Sequence, residues 1–125
     1  MSHRQTRKKR PLHLVPRVKL WLDYNGQYAF GLGVSEILLA VERAGSIKRA
    51  ASDLGISYRY VWGRIKAAEK ALGQQLVETQ VGGKGAQRSR LTPPARQLAD
   101  AFLALRGDMI RAVEQKFRRR FAGLL

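Results

Sequence analysis

The strongest pattern in the sequence is a pair of apolar stripes with helical spacing, separated by a short break. The stripes consist of Ala50, Ala51 and Leu54, and then of Val61, Ile65, Ala68 and Leu72. Ser46 and Ser57 precede the stripes, where a hydroxyl can accept a hydrogen bond from an unpaired amide of the first helical turn. Gly55 suits the left-handed residue that ends many helices, and Ile56 is the apolar residue expected to pack between the two helices. The pattern therefore predicts two helices joined by a tight turn.

The residues before this pair predict a β-hairpin and one further helix. Residues 17–31 are rich in β-favouring types and contain Asn25-Gly26, the preferred type I′ hairpin turn. The pairs expected opposite each other are Trp21 with Phe30 and Asp23 with Tyr28. Apolar positions from about Val34 to Ala44 repeat with helical spacing and predict the first helix of a three-helix core. We expect the hairpin to cover these helices rather than to form a site.

The residues after Gly73 predict a second hairpin. Residues 76–81 and 89–92 are expected to form strands around a glycine-rich basic loop at 82–88. A helix-turn-helix followed at once by such a hairpin is a winged arrangement. The residues expected to reach phosphates or the minor groove are Lys84, Gln87, Arg88 and Arg90. A phosphate-cradling nucleotide loop is the alternative, but the spacing GxxxxGK[ST] and a surrounding βαβ unit are missing.

The last part of the chain predicts a long helix. Thr92-Pro93 combines a capping residue with proline at the first helical position, and the helix should extend to about Phe117 or beyond. Large apolar residues recur in a heptad-like pattern near its start. The residues expected in a homodimer seam are Leu98, Phe102, Leu105, Met109, Val113 and Phe117. Packing on the helix's own domain is the alternative, but so many large apolar groups exceed what a small three-helix core can cover.

Charge points to a polyanionic partner. The net charge is +15, and residues 43–90 contain ten cations against three acids, a net +7. Residues 1–16 are basic and without periodicity, and we expect a disordered arm on DNA phosphates or a solvated tail. No cysteine is present, and the only histidines, His3 and His13, lie in this region. The nine acids are scattered singly, so we expect neither an enzyme nor a metal or other cofactor. A membrane-length apolar run and a signal peptide are absent, so we expect a cytoplasmic, nucleoid-associated protein.

The exposed side of the second helix of the pair carries the candidate chemistry. Its cations stand beside aromatic residues and a glycine that permits close approach, which suits a helix in the DNA major groove. The candidate DNA contacts there and on the preceding helix are Ser46, Arg49, Ser57, Tyr58, Arg59, Tyr60, Trp62, Gly63, Arg64 and Lys66. Arg59 is the first candidate for a guanine or phosphate contact, while Tyr58 and Trp62 lie near the apolar stripe, where a structural role is the alternative. An ordinary helical hairpin with a basic side is the competing interpretation of the segment.

With these motifs in place, residues 34–105 resemble the winged helix-turn-helix of LysR-type regulators, and more closely the DNA-binding domain of the ModE family of molybdate-responsive regulators. The matching motifs are Gly45-Ser-Ile, Ala50-Ala51, Leu54-Gly-Ile-Ser57, Leu72-Gly73, Leu76-Val77 and Leu91-Thr92, with Ile56-Ser-Tyr58, Trp62 and Gly82-Gly-Lys-Gly85 for ModE. Full-length ModE and LysR-type proteins continue into effector-binding domains, and we expect no such domain within these 125 residues. An oxyanion-sensing role is thus only a lesser implication of the resemblance, and no effector is identified.

Together these observations predict a mainly α fold with small β hairpins. We expect a disordered arm at 1–16, a winged helix-turn-helix with its leading hairpin at 17–92, and a dimerisation helix with a basic tail at 93–125. The expected function is that of a homodimeric, sequence-specific transcriptional regulator bound to double-stranded DNA, without a membrane partner. An architectural, chromatin-like protein of low sequence specificity is the alternative.

Overall fold

The computed structural model describes residues 11–82 and 87–125. The elements are β1 (Trp21–Tyr24), β2 (Gln27–Gly31), α1 (Leu32–Ala44), α2 (Ile47–Leu54), α3 (Tyr58–Leu72), β3 (Val77–Val81), β4 (Gln87–Leu91) and α4 (Pro93–Phe121), with a 3-10 turn at Ala122–Leu124. The strands form two antiparallel two-stranded sheets, β1 with β2 and β3 with β4. The chain therefore has the predicted fold, a winged helix-turn-helix with a leading hairpin and a long last helix.

The chain forms two compact units. The larger runs from Leu20 to Arg106, and the described residues of the smaller are 11–19 and 107–125. The hydrophobic core lies in the larger unit, where the side chains of Phe30 and Phe102 are both almost completely buried. Their rings meet edge to face, with centroids 5.5 Å apart and planes 70° apart, an arrangement that aromatic pairs favour. The first turns of α4 thus complete the core of the larger unit.

Most helix boundaries lie at the predicted capping residues, but α1 begins at Leu32, two residues before the predicted Val34. Gly45 and Gly55 end α1 and α2 with φ values of 81° and 71°, a conformation in which a side chain is strained and glycine is not. Asn25 and Gly26 likewise have positive φ values of 53° and 76°, as the predicted type I′ turn requires. The sequence predicts these features correctly because each depends on only a few neighbouring residues.

The register of the first hairpin differs from the prediction. The observed pairs are Trp21 with Gly31, Leu22 with Phe30, Asp23 with Tyr28 and Tyr24 with Gln27. The predicted partner of Asp23 is confirmed, but that of Trp21 is wrong, because a bulge between Leu22 and Asp23 shifts the register. Ala29 is the extra residue, and both Ala29 and the adjacent Phe30 are buried. The bulge thus turns two consecutive side chains toward the core, which simple strand alternation does not do.

Two apolar residues lie elsewhere than the sequence predicts. Ile56 is expected to pack between α2 and α3, but it is 38% exposed. Ala51 of α2 and Val61 of α3 already belong to the buried cluster, so the space between the helices is filled without Ile56. Phe102 is expected in a dimer seam, but it is only 1% exposed within the single chain. In the described residues, no helix is both long enough and apolar enough to span a membrane.

Candidate nucleic-acid interface

Two serine hydroxyls fix the geometry of the helix-turn-helix. Ser46 Oγ accepts a hydrogen bond from the Arg49 amide, and Ser57 Oγ accepts one from the Tyr60 amide, each at 3.0 Å. Both serines are thus N-caps, as predicted, and each satisfies an otherwise unpaired amide of a first helical turn. The Arg49 side chain is exposed on α2. The caps orient the start of α3 and hence the side chains that it presents to solvent.

Three sides of α3 face different surroundings. The outer side carries Arg59 and Gly63, both exposed. A Cβ added at Gly63 would meet no atom within 4 Å, so nothing in the described chain requires glycine at this helical position. Tyr58, Trp62 and Lys66 lie on the side toward the wing. The predicted contacts therefore do not share one face, because successive helical residues are rotated by about 100°.

The wing is tied to the helix-turn-helix by backbone and side-chain hydrogen bonds. The Ser89 amide of β4 donates to the Gly45 carbonyl oxygen at 2.8 Å. The hydroxyls of Ser89 and Thr79 lie 3.0 Å apart across the β3–β4 pair. These bonds set the wing beside the turn between α1 and α2, so that strand residues and the α3 side chains border the same space.

Glu69 joins α3 to the base of the wing. Its Oε2 accepts hydrogen bonds from the amides of Leu76 and Val77, at 2.8 and 3.2 Å. Its Oε1 accepts a bond from Lys66 Nζ at 3.1 Å. The same Lys66 Nζ stands 5.7 Å from the centroid of the Trp62 ring, within the range of a cation–π contact. One carboxylate thus holds the start of β3 and orients a cation and an aromatic ring of α3.

A groove of about 620 Å³ separates α3 from the wing. It is lined by Ser46, Ile47, Lys48, Tyr58, Trp62, Lys66, Thr79, Gln87 and Ser89. Tyr58 and Trp62 are 48% and 45% exposed, and both line the groove. Sequence reasoning missed Lys48 and Thr79. Lys48 is the second residue of α2. Its position just after the capping Ser46 could have indicated that it lies at the same surface.

The described cations of the wing, Arg88 and Arg90, face away from this groove. Strand alternation puts Arg88 and Arg90 on the side opposite Ser89. Arg90 Nε donates to Glu78 Oε2 at 3.2 Å, so part of its charge is balanced by an acid on β3. Gln87 is the predicted wing residue that lines the groove. The predicted contact Lys84 lies outside the described residues.

Arg64 and Tyr60 occupy the side of α3 that faces the leading hairpin. The Arg64 guanidinium carbon is 5.9 Å from the centroid of the Tyr60 ring. Arg64 is partly buried, and it lines a small cavity with Tyr28, Ala29 and Val34. Its Nη2 lies 3.4 Å from the place where a Cβ on Gly33 would stand. Arg64 therefore packs between α3, β2 and α1, away from the outer side that Arg59 occupies.

The predicted seam residues of α4 divide between core and surface. Phe102 is in the core of the larger unit, and Leu98 is half-buried against that core. Leu105 and Met109 are 41% and 40% exposed. Val113 and Phe117 are half-buried. The described residues contain no group of three or more metal-ligating side chains, and the chemistry of the interface is that of cations, hydroxyls and aromatic rings.

Two capped helices joined by a tight turn, with a β-hairpin hydrogen-bonded to the turn that precedes the first of them, define a winged helix-turn-helix protein. Residues 34–96 match the family described as bacterial regulatory helix-turn-helix protein, lysR family. The chain belongs to this lysR family.

Curated relatives include proteins named ModE. The chain is 44% identical over 62 residues to the molybdenum transport protein ModE of Herbaspirillum seropedicae, a match covering 50% of this chain and 23% of that protein. It is 31% identical over 80 residues to the DNA-binding transcriptional dual regulator ModE of Escherichia coli (strain K12), covering 64% of this chain and 29% of that one. The match therefore spans about a quarter of the length of these relatives.

Solved structures share the fold. Full-length LysG from Corynebacterium glutamicum superposes with a TM-score of 0.52 at 24% identity, over 69% of this chain and 29% of that one. The complex BenM_DBD/catB site 1 DNA gives a TM-score of 0.52 at 23% identity, over 72% of this chain and 92% of that one. At these sequence identities, the superpositions show that the fold is shared and no more than that.

Proposed function

We propose that this chain is a sequence-specific transcriptional regulator that binds double-stranded DNA with α3 in the major groove. The observation that carries the proposal is the outer side of α3, where Arg59 is exposed beside Gly63. Within residues 11–82 and 87–125, Arg59 belongs to no ion pair. An unpaired guanidinium on a helix that a second surface can approach closely suits a bidentate contact to guanine or to a phosphate.

The groove between α3 and the wing suits a DNA backbone strand. Lys48 and Lys66 supply positive charge there, and Trp62 supplies an exposed ring. Hydroxyls and cations of this kind make most protein contacts to phosphate and sugar, and they fix the register of a protein on the duplex. We assign base reading to Arg59 and its neighbours on the outer side, and backbone positioning to the groove residues and Gln87.

The proposal takes DNA binding, and not molybdenum chemistry, from the relatives. Their names refer to molybdenum transport and to DNA-binding transcriptional regulation. The family match covers residues 34–96, and the matches to these relatives cover about a quarter of each of them. Of the activities in these names, DNA binding is the one that the exposed side of α3 and the groove beside it suit. A chromosomal partner implies a cytoplasmic, nucleoid-associated location.

We also propose that the chain acts as a homodimer through α4. Leu105 and Met109, one helical turn apart, are large apolar residues with about two fifths of their surface exposed. Exposed apolar residues on one helical side are stabilised when a second helix covers them. Two copies would present two recognition helices to two half-sites, as dimeric helix-turn-helix proteins do.

Selection of bound duplexes from a random-sequence pool tests the function. At about 0.15 M salt, where non-specific binding is weakened, we expect enrichment of an inverted repeat, because each protomer reads one half-site. Enrichment of a single half-site would support sequence reading and contradict the dimer. No enrichment, together with an affinity that falls steeply with salt, would replace the proposal by that of an architectural DNA-binding protein.

A further inference from the structure

The last turns of α4 concentrate positive charge that no acid balances. Lys116, Arg118, Arg119 and Arg120 lie within five positions, and residues 115–125 contain no Asp or Glu. All four side chains are exposed. The four ion pairs among the described residues involve other cations, namely Lys66, Arg90, Arg96 and Arg111. These charges are therefore available to an anion outside the chain.

Three of these cations share one concave surface. Lys116, Arg119 and Arg120 stand at i, i+3 and i+4, which places them on one side of the helix. Together they line a depression of about 380 Å³. A helix C-terminus favours cations generally because of its dipole. That effect accounts for basic residues in the last turn, but like charges on one side repel each other and gain nothing from sharing a depression.

We propose that this C-terminal basic face, formed by Lys116, Arg119 and Arg120, binds backbone phosphates of double-stranded DNA as a site additional to α3. The planar guanidinium group of arginine can donate two parallel hydrogen bonds to two oxygens of one phosphate. A ridge of phosphates along a duplex is complementary in shape and charge to a concave cationic surface. The assignment rests on the proposed function only in taking DNA as the ligand, and it requires no sequence preference.

An anionic membrane is the weaker match. Membrane-surface helices insert a broad apolar side into the lipid. Here the neighbouring aromatic rings of Phe117 and Phe121 stack on each other, with centroids 4.5 Å apart and planes 22° apart. Phe117 is already half-buried in the single chain. Phe121 is 37% exposed, so the exposed side chains of residues 116–121 are four cations and one aromatic ring. A bilayer offers a flat surface rather than one that fits a depression.

The salt dependence of DNA binding tests the proposal. The full-length triple variant Lys116→Gln, Arg119→Gln, Arg120→Gln is compared with the unmodified chain by fluorescence anisotropy on a labelled random-sequence duplex. Each phosphate contact adds about 0.9 to the slope of log affinity against log salt. We expect the triple variant to lower the magnitude of that slope by about 2 to 3. The variant Arg119→Lys, Arg120→Lys retains the charge and should keep most of the slope.

A second triple variant controls for net charge. Arg17→Gln, Lys19→Gln, Arg43→Gln removes three exposed cations that line neither the groove nor the basic face, and it should lower the slope by less than about 1. Glutamine is a good helix former, and circular dichroism checks that each variant is folded. Equal slopes for the two triple variants would overturn the proposal.

Two further measurements separate DNA binding by the basic face from lipid binding and from sequence reading by α3. Sedimentation with vesicles of phosphatidylglycerol and phosphatidylcholine tests for lipid binding. Vesicle binding that only the first triple variant loses, with its DNA slope unchanged, would reassign the face to lipid. If the duplex selection shows no sequence preference, the proposed regulator fails, yet the slope comparison on random duplexes still decides whether the basic face binds DNA.

Discussion

At the scale of single residues, the two exposed cations of α3 nearest the turn differ in how they are held. Lys66 is held between the Glu69 carboxylate and the Trp62 ring. Arg59 has neither an acidic nor an aromatic partner among the described residues. A pre-oriented cation suits a fixed backbone contact, whereas a free guanidinium can adapt to a base edge. Arg59 is therefore the residue on which sequence preference should depend most.

Replacement of Arg59 gives the first prediction. Arg59→Ala should weaken binding to the selected duplex by about 1–3 kcal/mol, or roughly 5- to 150-fold in Kd. Binding to a scrambled duplex should change much less, because a base contact is lost. Anisotropy titrations at fixed salt measure both affinities. An equal loss on the two duplexes would show that Arg59 contacts a phosphate instead.

Arg64 should behave in the opposite way. Its guanidinium lies against Tyr60 and the Gly33 backbone, and its side chain lines the cavity under the hairpin. Arg64→Ala should lower the free energy of unfolding by about 1 kcal/mol through lost packing. The ratio of specific to scrambled DNA affinity should stay as it was. Urea denaturation gives the stability, and a large fall in that ratio with normal stability would return Arg64 to the DNA surface.

At the scale of elements, the connection between α3 and β3 depends on one carboxylate. Glu69 accepts from the amides of Leu76 and Val77 and from Lys66, and its side chain is only 13% exposed. Hydrogen bonds to a charged group contribute about 1.5–3 kcal/mol, more than neutral ones. The position of the wing relative to the recognition helix should therefore be sensitive to this residue.

A matched pair of substitutions tests this. Glu69→Gln should lower the free energy of unfolding by about 1–3 kcal/mol, because the carboxylate bonds weaken and the remaining groups are partly buried. Glu78→Gln breaks the exposed pair with Arg90 and should cost less than about 1 kcal/mol. Urea denaturation monitored by circular dichroism measures both values. Similar values for the two variants would mean that the Glu69 bonds contribute little.

The helices and strands also show which structural features the sequence alone can predict. Caps, helix ends and the Asn25-Gly26 turn were predictable because their signals are local. The bulge at Ala29 was not, because it arises from the burial of Ala29 and Phe30 against helices that come later in the chain. The outward direction of Arg88 and Arg90 was also missed. It depends on the strand register and on the bond from Ser89 to Gly45, which joins residues far apart in sequence.

At the scale of the whole molecule, α4 carries both buried and exposed apolar residues. Ala95, Ala99 and Phe102 are buried in the core of the larger unit, whereas Leu105 is exposed. The sequence could not show which of these residues are buried in the chain's own core and which are exposed, since the spacing pattern is the same for an intramolecular and an intermolecular seam. Truncation before Thr92 would remove core residues and so cannot test dimerisation by itself. Point substitutions separate packing in the core from the proposed dimer contact.

Phe102 and Leu105 should give different outcomes. Phe102→Ala should destabilise the fold by about 3–5 kcal/mol, because it leaves a cavity beside Phe30. Leu105→Asp should leave the single chain folded and convert dimers to monomers, because a charge would be buried between two apolar helices. Light scattering after size exclusion measures mass, and thermal melting measures stability. A Leu105→Asp chain that remains dimeric would place the interface elsewhere.

The open space at Gly63 implies that fold stability and DNA binding favour different residues at this position. Glycine inside a helix costs about 1 kcal/mol relative to alanine, and no atom of the described chain would obstruct a methyl group there. Gly63→Ala should therefore raise the free energy of unfolding by about 0.5–1 kcal/mol, while weakening DNA binding if the duplex approaches this point closely. A melting curve and a titration of the same variant would measure both effects. Selection for thermal stability alone would therefore favour alanine at position 63, whereas selection for operator binding would favour glycine.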